Sequence, residues 1–160
     1  MYHLAEAYLM ATYICLLALY LGGLIFGTAL VAPIAVTSLD ESAAAIFLRK
    51  YWVAYHRIAV LGGLLFTVVA ALASTASAVP MRYSFLLVCL AGLMTICFYV
   101  AMTLINPINQ ARDAGQNQRF NRLHRFNVIL VSLGMLVAIA LLAALVYVLP
   151  GQFTFWPTAA

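Results

Sequence analysis

Charge is what this sequence has least of. Only 8% of its 160 residues are Asp, Glu, Lys or Arg, where a soluble globular domain carries about 25%. A soluble domain is therefore excluded. The four acidic residues are Glu6, Asp40, Glu41 and Asp113. The last three fall in polar connectors beside water, which leaves no paired-carboxylate centre. Every Asp, Glu, Lys and Arg lies at the end of an apolar stretch, and that argues against a proton-coupled pump or an ion channel formed by one copy. Cysteine is sparse too: Cys15, Cys89 and Cys97 show no CxxC or zinc spacing, and they read as small buried hydrophobes. No Ser–His–Asp set, phosphate loop or nucleotide motif occurs. The N-terminus lacks a basic n-region, and its first apolar run is too long for a signal peptide, so an uncleaved first span is expected.

What the chain does have is apolar length. Hydrophobic residues make up 67% of it, and four uncharged runs cover residues 7–39, 58–81, 83–111 and 126–160. Each exceeds the roughly 20 residues with which a helix crosses a bilayer. The runs are continuous rather than alternating, unlike the strands of a β-barrel. The expected fold is all-α and integral to the membrane. It is a four-helix antiparallel transmembrane bundle, with spans near 8–36, 56–78, 83–104 and 120–148 in one domain covering 1–160.

Local signals refine this outline. Gly23 and Gly27 lie four apart in the first span, and Gly134 and Ala138 repeat the spacing in the fourth. Together with Gly63 in the second span, they offer small faces on which helices can approach closely. Pro33 is placed to kink or end the first span. Ser38-Leu-Asp-Glu41 has the form of a capping box. Residues 43–55 mix Phe47, Tyr51, Trp52 and Tyr55 with Arg49 and Lys50, the composition of a short interfacial helix between spans 1 and 2. No Gly or Pro separates it from the second span, so the two can run on as one helix. Val79-Pro80-Met81-Arg82 predicts a tight turn. Pro107 is expected to end the third span, and residues 106–121 read as a polar loop turning at Asp113 and Gly115. Pro150-Gly151 should stop the fourth span, with Tyr147, Phe153 and Trp156 as aromatic anchors on that side.

Seven of the eight basic residues fall in segments 36–57 and 105–125: Arg49, Lys50, Arg57, Arg112, Arg119, Arg122 and Arg125, with Arg82 opposite. By the positive-inside rule both connectors are cytoplasmic and both termini lie outside an inner membrane. Topology thus accounts for the net charge of +4 without nucleic acid. Arg49, Lys50, Arg119, Arg122 and Arg125 serve as anchors, and the four arginines Arg112, Arg119, Arg122 and Arg125 are also placed to bind anionic lipid head groups, each contributing ~1 kcal/mol near an anionic surface.

The run Leu21-Gly-Gly-Leu-Ile-Phe-Gly27 leading to Ala32-Pro33 resembles the first span of the transmembrane protein 205 family, whose bacterial members form a domain of unknown function. Asn106-Pro107, then a short basic loop and Arg119-Phe-Asn-Arg-Leu-His-Arg125, resemble the opening of that family's last span. The likeness extends over about residues 10–145. It departs where the family often has a proline-plus-aromatic stretch before the second span, since this chain has Arg49-Lys-Tyr-Trp-Val-Ala-Tyr-His56. The resemblance implies a four-helix membrane protein and carries no established reaction.

Candidate chemistry collects at the basic side. His124 aligns with Phe120, Asn127 and Val131 at helical spacing, giving a polar notch in a stripe facing other helices. Asn106 and Asn109 bracket Pro107 and either cap the third span or line a polar vestibule. His56 opens the second span on the same side, so His56 and His124 are candidates to ligate a haem iron or transition metal jointly. The preferred account needs no cofactor and leaves both as interfacial histidines. His3, at the opposite face, joins neither. Two functions follow. The first is a non-enzymatic accessory or assembly subunit, or a transport or permeability factor, with the bilayer and either a homo-oligomer or a larger complex as partner. The second is a membrane oxidoreductase or b-type cytochrome-like protein.

Overall fold

A computed structural model describes residues 2–75 and 81–148, with side chains from residue 8 to 147. The expected turn at 79–82, apart from Met81 and Arg82, lies outside these residues. So do the stop at Pro150-Gly151, the anchors Phe153 and Trp156, and the side chain of His3. Among the described residues every element is helical. In chain order they are α1 (Tyr2–Phe26), a π-helical turn (Gly27–Val31), α2 (Ala32–Ser38), α3 (Glu41–Thr75), α4 (Met81–Thr103), α5 (Ile105–Asp113), α6 (Asn117–Ala143) and a closing π-helical turn (Ala144–Val148). Four stretches are long and apolar enough to cross a membrane: Tyr8–Ser38, Glu41–Thr75, Met81–Asp113 and Asn117–Tyr147. They form a four-helix bundle in which α4 packs most extensively against α3 and α6.

The outer surface is apolar. Leu9, Leu19, Leu61, Leu72, Phe85 and Leu136 are all more than 60% exposed. In water so large an apolar surface would drive aggregation, and a bilayer is the solvent that suits it. Cys15 and Cys89 also face outward, which corrects the expectation that all three cysteines are buried; only Cys97 is. Sulfur is apolar enough for either place.

Each helix contact has its own device. Tyr13 and Tyr55 donate to the carbonyls of Phe66 (3.1 Å) and Leu24 (3.3 Å), and Tyr20 donates to that of Ala59, so three hydroxyls join α1 to α3. Gly62 makes room for the Tyr20 ring. At the α3–α4 contact a Cβ on Gly63 would stand 2.8 Å from the Thr95 hydroxyl, and Thr95 bonds Thr67 at 3.0 Å. Gly134 of α6 lies beneath the Phe98 ring of α4, and Ala138 is fully buried. Gly27 lies beneath Tyr51 and Tyr55. Gly23 differs from the expectation: it is exposed, and nothing stands within 4 Å of where its Cβ would be. Four residues is 400° of helix, so the two glycines share a face only loosely, and the bundle contacts α1 through Leu17, Leu21, Leu24 and Gly27 instead.

The prolines bend the chain rather than stop it. Pro33 cannot donate to the carbonyl four residues back, and the helix passes through the π-helical turn, where Ala32 N–H reaches the Gly27 carbonyl. It ends only at Ser38. Pro107 likewise does not end the third span. It sits in the first turn of α5, where a proline is tolerated, and the break falls at Leu104, whose N–H bonds Ala101. The expected polar loop at 106–121 is therefore mostly helix, turning between Ala114 and Gln116 with Gly115 at φ 65°.

The helix expected at 43–55 is not a separate element. It is the first part of α3, which runs unbroken for 35 residues. At ~1.5 Å per residue that is longer than the ~30 Å hydrocarbon core, so its polar third extends beyond the apolar zone. The cap of α3 is Asp40, not Ser38. Its carboxylate accepts from Ala43 N–H (2.9 Å) and the Ser42 hydroxyl (2.7 Å), and these bonds hold the Asp40 carboxyl below the usual carboxylate range.

Candidate functional site

Two polar regions lie at the basic end of the bundle, and the two histidines separate between them. The first region is enclosed. His56 is fully buried among α3, α4 and α6, with its ring edge-on to Trp52 and Tyr55. Its Nδ1 lies 2.8 Å from the Trp52 carbonyl. A carbonyl only accepts, so Nδ1 carries the proton and Nε2 the lone pair of a neutral ring. Among the described residues that Nε2 has no partner within strict hydrogen-bond geometry. Across the helix interface the ring interacts with Asn127, which is itself buried and donates through Nδ2 to the Ala101 carbonyl at 2.7 Å. The same Ala101 carbonyl also accepts from the Leu104 N–H at 3.2 Å, where the ladder of α4 breaks just before α5.

The second region is an open cleft of about 530 Å³ lined by the π-helical turn, α2, the first part of α3, α5 and the start of α6. Ala32, Pro33 and Val36 of α2, Ala45 and Leu48 of α3, and Ile108 of α5 form apolar walls. Thr28, Thr37, Arg49, Trp52, Asn109, Arg112, Phe120 and His124 add to the lining, in which no acidic residue takes part among the described residues. His124 is exposed here and stacks on Phe120, with ring centroids 5.6 Å apart and planes 2° apart. The Arg112 guanidinium lies 6.0 Å from the same Phe120 ring. Arg49 pairs with Asp113, bridging α3 to the end of α5. A shallower depression of about 410 Å³ shares Arg49 and Asn109 with the cleft and adds Lys50 and Arg57. The π-helical turn borders the cleft through Thr28, in keeping with the frequency of π-bulges near functional sites.

The structure thus brings Asn127 together with His56 and leaves His124 with Phe120. The sequence pairing of His124 with Asn127 is corrected in this respect, although both lie on one stripe of α6. Asn109 lines the cleft, whereas Asn106 is exposed and lines neither cavity. Arg119, Arg122 and Arg125 are exposed outside both cavities, with Arg119 bonded to Gln116 at 3.2 Å. Sequence reasoning named Arg112 as a head-group cation but did not place it in a cleft, and it took Trp52 only as an interfacial aromatic; for Arg112 the signal would have been a helix continuing past Pro107. Among the described residues no three His, Cys, Asp or Glu side chains gather as a metal site requires.

These features define a polytopic helical membrane protein with a basic, partly hollow end. Residues 15–117 match the model of a domain of unknown function, DUF4149, and the chain belongs to that family. Comparison with curated proteins and with solved structures gives no match.

Proposed function

We propose that this protein is a non-catalytic component of a bacterial inner membrane: an accessory or assembly subunit, or a transport or permeability factor, working as a homo-oligomer or within a larger membrane complex. In this reading the basic connectors face the cytoplasm and both termini face outward, following the bias of the cations. The likeness of residues 21–33 and 119–125 to the transmembrane protein 205 family belongs to the same reading. The observation that carries it is how polar groups are distributed. Inside the bundle they join helices, as Tyr13, Tyr20, Tyr55, Thr67, Thr95 and Asn127 do. At the rim they surround open space.

The cytochrome-like reading draws support from the unpartnered Nε2 of His56. Against it, His56 is enclosed and His124 is exposed on a different lining, so the two do not face one shared space. The optical spectrum and metal content of protein purified from its native membrane test the choice. The non-catalytic reading expects a colourless protein without stoichiometric iron or copper. A Soret band that disappears in His56→Ala would overturn it.

A further inference from the structure

We infer that the rim cleft binds one anionic amphiphile, with an acyl chain along the apolar walls and a phosphate or carboxylate head at Arg112 and His124. The inference rests on the non-catalytic reading, since such a component acts through what it binds. Four observations support it. The cleft has the volume of a small-molecule site, and its walls at Val36, Leu48 and Ile108 match a hydrocarbon chain. Among the described residues its polar lining has Arg49, Arg112, the Asn109 amide, two threonines and His124 but no carboxylate, so an anion meets attraction from Arg112 with the nearest acid, Asp113, engaged by Arg49. Arg49 pairs with Asp113 in direct contact, whereas Arg112 feels the same carboxylate only at longer range, and its guanidinium lies 6.0 Å from the Phe120 ring. The cleft is also lined by the first part of α3, from Ala45 to Trp52, and α3 is longer than a hydrocarbon core requires, which suits a site for lipid head groups.

Phospholipid binding to the full chain separates this site from diffuse attraction to a basic surface. Native mass spectrometry would follow dioleoylphosphatidylglycerol added to protein in phosphatidylcholine nanodiscs. One phosphatidylglycerol should be retained in preference to phosphatidylcholine. Arg112→Gln should weaken retention roughly tenfold, the scale of one charge-assisted hydrogen bond. Arg112→Lys should restore most of it, and Ala45→Trp, which fills the cleft without changing charge, should abolish it. Arg119→Gln, outside the cleft, should change it less than about twofold, as one surface cation would. Equal retention of the two lipids, or equal losses from Arg112→Gln and Arg119→Gln, would overturn the site. Competition by millimolar inorganic phosphate would show a free-anion site and overturn the acyl half. Thermal melting in phosphatidylcholine verifies that each variant is folded. A negative lipid result with a colourless protein would leave the non-catalytic reading standing, whereas a Soret band would remove that reading itself.

Discussion

At the scale of single residues, His56 and Asn127 differ in what they contribute. Asn127 makes a buried bond to the Ala101 carbonyl, and Asn127→Ala removes the donor. Side-chain hydrogen bonds between membrane helices average ~0.6 kcal/mol and reach ~1.7, so thermal stability in detergent should fall by about that much. Among the described residues His56 Nε2 has no partner within strict geometry, its Nδ1 bond goes to a carbonyl within its own helix, and across the interface the ring interacts with Asn127. Such a group costs about as much as it contributes. His56→Leu should therefore stay within ~1 kcal/mol of the parent, and a loss above ~3 would show that Nε2 has a partner in the membrane. Gly27 and Gly23 form a second contrast. A Cβ at Gly27 would collide with the Tyr51 hydroxyl and stand 3.1 Å from the Tyr55 ring, whereas Gly23 has open space. Gly27→Ala should cost ~1–3 kcal/mol as overpacking does, and Gly23→Ala should be neutral or slightly stabilising, as alanine is the better helix former. Equal melting temperatures for the two variants would contradict this packing.

At the scale of elements, the spans and the small contacts at Gly27, Gly63, Gly134 and Ala138 were legible in the sequence, because apolar length and residue size need no tertiary context. The continuation of helix past Pro107 was not. A proline forbids one bond but does not say whether the chain resumes its helix, and here Ile105–Asp113 does so beneath α6. Along the stripe of Phe120, His124, Asn127 and Val131, the last two are buried while His124 is exposed and stacked on Phe120. What periodicity cannot give is where along a stripe the bundle opens. At Asn127 the stripe meets α3 and α4, while at His124 it meets the cleft. The cap of α3 adds a pH test. The Asp40 carboxyl is held below its ordinary range by bonds that form only in the folded helix. Its contribution is therefore fully present above the unfolded Asp value of ~3.9 and is lost as pH falls through the lower folded value. Exchange of the Ala43 amide should accelerate relative to its neighbours at such acid pH. Asp40→Asn keeps an acceptor and should remove that dependence; an unchanged acid response in Asp40→Asn would place its origin elsewhere.

At the scale of the whole molecule, the outward face is apolar and the cations gather at one end, so the bilayer, the helix packing and the cleft share one axis. The account requires the α2–α3 and α5–α6 turns to lie on one side and the start of α4 on the other. Labelling of single cysteines by a membrane-impermeant maleimide tests this most directly, after replacing Cys15, Cys89 and Cys97 with alanine. In sealed vesicles of known orientation, Ser42→Cys and Gln116→Cys should react from the same side, the cytoplasmic one, and Met81→Cys from the opposite side. Reaction of Ser42→Cys and Gln116→Cys from opposite sides would contradict the four-span bundle and the rim cleft built upon it.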